Sequence, residues 1–277
     1  MRVGKFYSGN KNAKHNLENS TLWFSFPKDF NDPFEGRIKV KKSYEDKTFS
    51  SRSEAQKVAD LNSEYFYKFN KEFYNHLVAL GPLEDKIEFI FRIWADILRD
   101  ANAEIINSEG YCCFCNWNRK SLLNQLMWSH YANGLRGFCL VFDKKKLHES
   151  LIEMNDEESL HFEPVKYKDE LPELNIYHHM VNHLGGEIDV EELVFDFYIK
   201  SRSTKSKVWR YEKEYRAISS RDKAHKYSPD SVKQIFIGEK MPDDEKELVK
   251  SLGKSIYKEA TIYTVSLEAD HYGLSVD

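Results

Sequence analysis

Apolar positions along this chain recur in two rhythms, and the switch between them marks its elements. Over residues 53–80, Leu61, Tyr65, Phe69, Phe73, Leu77 and Leu80 return every three or four positions. This is the period of one helix face, so one long helix is expected, capped near Ser53 and stopped by Gly81-Pro82. A second helix is expected over residues 84–106, where Ile87, Ile90, Phe91, Trp94, Ile97, Leu98 and Ala101 leave little polar side, a pattern of deep burial. Elsewhere the apolar runs have strand length: residues 5–8, 21–26, 111–115, 138–142, 162–167, 232–238 and 256–267. The first forty residues read as short strands and turns. Further helices are expected over 121–132, 144–158, 191–205 and 242–252, and a helical or irregular connection over 172–186. Strands and helices do not alternate regularly, which predicts an α+β fold and not a doubly wound sheet. We expect a mixed, mainly antiparallel sheet core, peripheral helices and a helical insertion at about 53–106, within a single domain of residues 1–277.

One stretch breaks the pattern of apolar strands. In Trp209-Arg210-Tyr211-Glu212-Lys213-Glu214-Tyr215-Arg216, strand alternation puts Arg210, Glu212, Glu214 and Arg216 on one face and Trp209, Tyr211 and Tyr215 on the other. Such a face is either a solvated ion-pair ladder, each exposed pair worth about 0–1 kcal/mol, or the wall of a polar site. Lys200 to Lys207, just upstream, adds cations suited to a phosphate-bearing ligand.

Composition narrows the classes. Only 7 Pro and 12 Gly among 277 residues, with 14% aromatics, describe an ordered globular chain. A net charge of −4 gives no global attraction to nucleic acid or anionic membrane, although residues 200–226 carry ten Lys/Arg against three Asp/Glu. The chain contains no apolar run of eighteen residues and begins with a polar segment, so we expect a cytoplasmic protein with no membrane partner. Cys112, Cys113 and Cys115 crowd one apolar run and read as reduced core thiols, and no metal site is expected. His178, His179 and His183 have helical spacing, but their acidic, Asn- and Gly-containing surroundings favour a solvated helix over zinc.

Three further places carry candidate chemistry. His130 falls on the inward stripe Leu123, Leu126, Met127, His130 and Tyr131, as a satisfied core histidine or as a general base facing a pocket. Trp128 falls off that stripe and must pack on another element or line a cleft. Asn31-Asp32-Pro33 makes a rigid turn, pinned by Phe30 and Phe34, which serves the fold or fixes hydroxyls and amides of a ligand.

Four segments in order, Thr21 to Glu35, the Cys115 strand with Leu126-Met-Trp-Ser-His-Tyr-Ala132 and Gly137 to Phe142, Lys207 to Arg216, and Ile235-Phe-Ile-Gly238, closely resemble the bacterial family named domain of unknown function 2971. That resemblance fixes which residues matter and implies no reaction. At a second level the layout looks like ADP-ribosyltransferases, which place a basic or polar residue on an early strand, an aromatic or Ser/Thr element mid-chain and a catalytic Glu on a late strand. Glu212-Lys-Glu214 matches the last element, Lys5 or Tyr7 the first and Tyr131 the second, whereas Ser203-Thr204 sits too close before the glutamates for the usual Ser-Thr-Ser strand. This resemblance implies NAD as cofactor, with Glu212, Glu214 and His130 catalytic. Lys5, Tyr7, Asn31, Asp32, Tyr131, Lys207 and Arg216 would hold the cofactor, and the acceptor is left open. A toxin or phage-defence enzyme would fit. The same pocket serves equally a sensor that binds a nucleotide without turnover, and a phosphodiesterase would gather Asp32, Glu35 and Glu212 on Mg²⁺.

Overall fold

The computed structural model describes residues 1–40, 49, 51–174, 190–220 and 224–277. The three histidines of the zinc question and most of the 172–186 connection lie outside the described residues. The chain forms two compact units, Met1–Pro33 with Asn107–Asp169 and Lys205–Asp277, and Phe34–Ile106 with Glu170–Thr204. Where the sequence reads as one domain with a helical insertion at 53–106, the insertion's helices belong to a unit that also recruits Phe34 onward and Glu170–Thr204.

The first unit is built on an eight-stranded sheet. Its strands are β1 (Arg2–Tyr7), β4 (Gly110–Asn116), β5 (Phe138–Asp143), β6 (His161–Pro164), β10 (Glu214–Ser219), β12 (Val232–Gly238), β13 (Thr261–Leu267) and β14 (Leu274–Val276), in the order β14-β13-β12-β5-β1-β4-β10-β6. Every neighbouring pair is antiparallel except β12 with β13. The fold is α+β with a mainly antiparallel sheet, as the irregular order of elements predicts.

The central strands read as unbroken apolar runs because both sheet faces are covered. Phe138, Leu140 and Phe142 of β5 join one buried cluster with Val3, Tyr7, Cys112 and Phe114, under helices α1 (Lys11–Asn19), α7 (Lys144–Asn155) and α9 (Asp243–Ser255). Cys139 and Val141 join another with Phe6, Cys115, Met127 and Trp128, under α5 (Arg119–Leu122) and α6 (Gln125–Tyr131). Cys112 and Cys115 therefore fall on opposite faces, and all four cysteines are free thiols. A two-stranded ribbon of β2 (Thr21–Trp23) and β11 (Ala224–Lys226) completes this unit's N-terminal region.

Helix α1 is not legible as a run of apolar residues, having only Ala13 and Leu17 buried; the Asn10 side chain caps it by accepting from Ala13 N–H at 2.8 Å. The 121–132 helix divides into α5 and α6, because Asn124 caps a new helix through the N–H groups of Leu126 and Met127. The second unit holds α2 (Arg52–Phe69), α3 (Lys71–Ala79), α4 (Leu83–Ser108) and α8 (Val190–Arg202), with β3 (Lys39–Val40) parallel to β8 (Glu173–Leu174). The long helix expected over 53–80 breaks at Asn70, which ends α2 in an extended conformation and caps α3 by accepting from Phe73 N–H at 3.1 Å. Phe66, Ile87, Ile90, Phe91, Trp94 and Leu98 form that unit's own core. No described helix is long and apolar enough to cross a membrane.

Candidate functional site

The site begins where a sheet ladder stops. β1 pairs with β5 along its whole length, from Arg2 to Tyr7, but with β4 only at Val3–Asn116 and Gly4–Cys115. Past Gly4 the β4 edge is taken up by other groups. Lys5 Nζ donates to the Cys113 carbonyl at 3.2 Å, and Ser25 bridges Tyr111 through two backbone bonds of 2.9 and 3.0 Å. A cavity of about 280 Å³ opens here, walled by Lys5, Phe6, Phe30, Asn31, Tyr131 and the β4 residues Tyr111 to Cys115, with Lys205, Glu212 and Glu214 at its polar end.

The charged stretch that supplies the polar end is not one strand. Lys207–Glu212 forms a 3₁₀ turn, Lys213 takes the left-handed conformation (φ 46°), and β10 starts only at Glu214. After the turn, Lys213 C=O accepts from Asn116 N–H at 2.8 Å. The expected two-faced strand is thereby corrected: Arg210 is exposed, while Glu212, Glu214 and Arg216 are buried. Strand β9 (Thr204–Ser206) brings in Lys205, itself buried, whose ammonium bonds Glu212 at 2.7 Å and Glu214 at 3.0 Å. Arg216 Nε donates to the other Glu214 oxygen at 2.7 Å, Tyr131 O–H donates to Glu212, and Glu214 N–H donates to Tyr167 Oη at 2.7 Å.

These contacts drive the two carboxylates apart electrostatically. Burial disfavours the Glu214 anion, but Arg216 and Lys205 overcome that penalty and hold its carboxyl down at about 2. Burial pushes Glu212 above its ordinary value, since Lys205 and Tyr131 offset the penalty only in part and Glu214 adds repulsion. Lys205 is raised: its desolvation is outweighed by the two glutamates. Tyr131 is raised by burial and by donating to Glu212, with its bond to Asn31 acting the other way. One carboxylate thus stays ionised while its neighbour takes up protons more readily, the arrangement by which a site assigns separate charge and proton-transfer roles.

The predicted residues divide accordingly. Lys5, Asn31, Tyr131, Glu212 and Glu214 share the cavity wall. Arg216 lies behind Glu214 and outside the lining; Lys207 is exposed and paired with Asp169, so neither frames the cavity directly. Asp32 is buried outside the lining, and Phe34 is exposed. His130 is exposed and not inward, because α6 is a separate helix that buries Met127 and Trp128 instead. Trp128 packs edge-on against Phe6 at 5.3 Å and donates its indole N–H to Leu122 C=O at 2.6 Å. His130 and Tyr7 line an adjoining cleft of about 780 Å³, the Tyr7 ring stacking on Phe138. Lys205, Cys113 and Tyr167 join the site without being expected there; the signal for Lys205 is its place in the cationic segment Lys200 to Lys207, just upstream of the glutamates. Among the described residues, no three His, Cys, Asp or Glu side chains gather to hold a metal ion.

The family model "Protein of unknown function (DUF2971)" matches residues 127–217, the stretch that carries α6, β5 and the glutamate turn. The chain resembles this family, as its motifs indicate. Neither a curated protein nor a solved structure matches it.

Proposed function

We propose that the chain is an enzyme of the ADP-ribosyltransferase type, which cleaves the bond between nicotinamide and ribose in NAD and passes the ADP-ribosyl group to an acceptor or to water. The observation that carries this reading is Glu214, buried and ion-paired to Lys205 and Arg216, at the polar end of a cavity whose wall includes the rings of Phe6, Trp23, Phe30, Tyr111, Phe114 and Tyr131. As the C–N bond breaks, its electron pair leaves with nicotinamide and positive charge develops on the sugar. An adjacent fixed carboxylate stabilises that charge most strongly where water is excluded. Glu212, whose carboxyl is raised, then takes the proton of the incoming hydroxyl as the new C–O bond forms. A cavity of about 280 Å³ suits the nicotinamide riboside end, not the whole dinucleotide. Free thiols fit a reducing bacterial cytoplasm, and an activity that consumes NAD fits a toxin or phage-defence system.

The test is nicotinamide release from NAD, followed by chromatography. Glu214→Gln and Glu212→Gln are each expected to lower it by about 100-fold or more in the folded fraction. Binding of NAD without release, under every acceptor tried, would favour a sensor module, and Mg²⁺-dependent cleavage of nucleic acid would overturn the reading.

A further inference from the structure

The cleft beside the glutamate cavity differs from it in kind. The two share Lys5, Phe6, Trp23, Ser25 and Tyr131, so they are contiguous. Both lining carboxylates belong to the smaller cavity. Among the described residues of the cleft wall no Asp or Glu occurs; its polar groups are those of Asn10, Asn12, Asn16, His15 and His130, with Ser and Thr hydroxyls. At the junction stands Lys5, half-buried, whose ammonium donates to the Cys113 carbonyl at 3.2 Å, lies beside the Cys112 thiol and sits over the Tyr7 and Phe114 rings at 5.7 and 5.6 Å; among the described residues no carboxylate is bonded to it. The glutamates of the shared cavity are taken up by Lys205 and Arg216, so an anion at the junction would find in Lys5 a charged donor of its own. Trp23, on the shared wall, leaves 53% of its surface exposed, an open ring face of the sort on which a base stacks.

We infer that the cleft is a nucleotide subsite taking an adenosine diphosphate moiety, its phosphates at Lys5 and its nucleoside against Trp23 and the asparagine wall. This rests on the proposed reaction only for the identity of the remaining half of the ligand. At about 780 Å³ the cleft has the capacity of an ordinary ligand pocket, which the smaller cavity lacks.

Isothermal titration with ADP, adenosine and inorganic pyrophosphate tests the subsite without any reaction, because ADP has no nicotinamide bond to break. ADP is expected to bind with a submillimolar Kd, and adenosine and pyrophosphate at least tenfold more weakly. Lys5→Met should weaken ADP at least tenfold. Asn12→Asp should do the same, by adding a carboxylate to the wall, while its melting temperature holds or rises, since an acid in the first turn favours α1. Equal affinity for ADP and adenosine, pyrophosphate binding as tight as ADP, or unchanged ADP affinity in both variants would overturn the subsite. ADP binding intact with no nicotinamide release would instead overturn the reaction and leave the subsite standing.

Discussion

Four side chains, Lys205, Glu212, Glu214 and Arg216, set the electrostatics of the cavity, and each is buried. A buried charge that loses its partner is left uncompensated, at a cost of about 3–5 kcal/mol. Lys205→Met should therefore destabilise the protein by about that amount in a denaturant titration and raise both glutamates, because it removes the cation they share. A loss below about 1 kcal/mol would mean that the ammonium is dispensable. Tyr131→Phe probes the chemistry with less disturbance. The Tyr131 bond lowers Glu212, so its loss should raise Glu212 further. If Glu212 acts as the base, the acidic limb of nicotinamide release must move to higher pH in this variant; an unmoved limb would separate Glu212 from proton transfer.

At the scale of elements, the turn before β10 decides whether two glutamates converge or part. Lys213 holds the left-handed conformation there, at a cost of roughly 1 kcal/mol for a residue bearing a Cβ. Lys213→Gly should raise stability by up to about 1 kcal/mol and leave activity in place. Lys213→Val should lower stability by about 1–3 kcal/mol, a β-branched side chain being worst suited to positive φ, and should lower turnover by displacing Glu212. Equal stability of the two variants would show that the turn is free to rearrange. The start of β5 is tight for a different reason: a Cβ on Gly137 would lie 1.9 Å from the Tyr7 carbonyl, so only glycine lets β5 lie against β1 here.

Across the whole molecule, pH and ligand act through the same buried groups. Glu214 is held at about 2 against an ordinary value of 4.5, so its contribution is complete above pH 4.5 and is lost as pH falls toward 2. Glu212 is shifted the other way and offsets part of that loss. The melting temperature should consequently fall below pH 4.5 in the parent, and fall less steeply there in Glu214→Gln, which has no carboxylate to titrate at that position. A parallel decline in both would assign acid sensitivity to other groups. Each compact unit has its own apolar core, and NAD is proposed to bind the sheet unit alone. Calorimetry should then show NAD raising the sheet unit's transition in proportion to the logarithm of its concentration, with no shift at millimolar NAD counting against binding.

Much of this architecture follows from residue order alone. The apolar runs at Tyr111 and Phe138 predict strands, and the structure accounts for their lack of alternation by covering both faces. The all-round apolar helix containing Trp94 likewise predicts its own burial. Helix breaks at Asn70 and Asn124 were not legible, since a capping asparagine inside an apolar period looks like one more polar residue until its side chain is seen on a backbone N–H. The glutamate pair was legible as a place, and Arg216 as a cation beside Glu214, but the role of Lys205 as their shared cation was not. Alternation gave Arg210 and Arg216 as the cations, whereas a single left-handed residue turned the chain so that Lys205, from a separate short strand, took up both carboxylates. Periodicity reports which face of an element is dry; which charges meet inside depends on where the backbone leaves that period, and only the tertiary structure decides that.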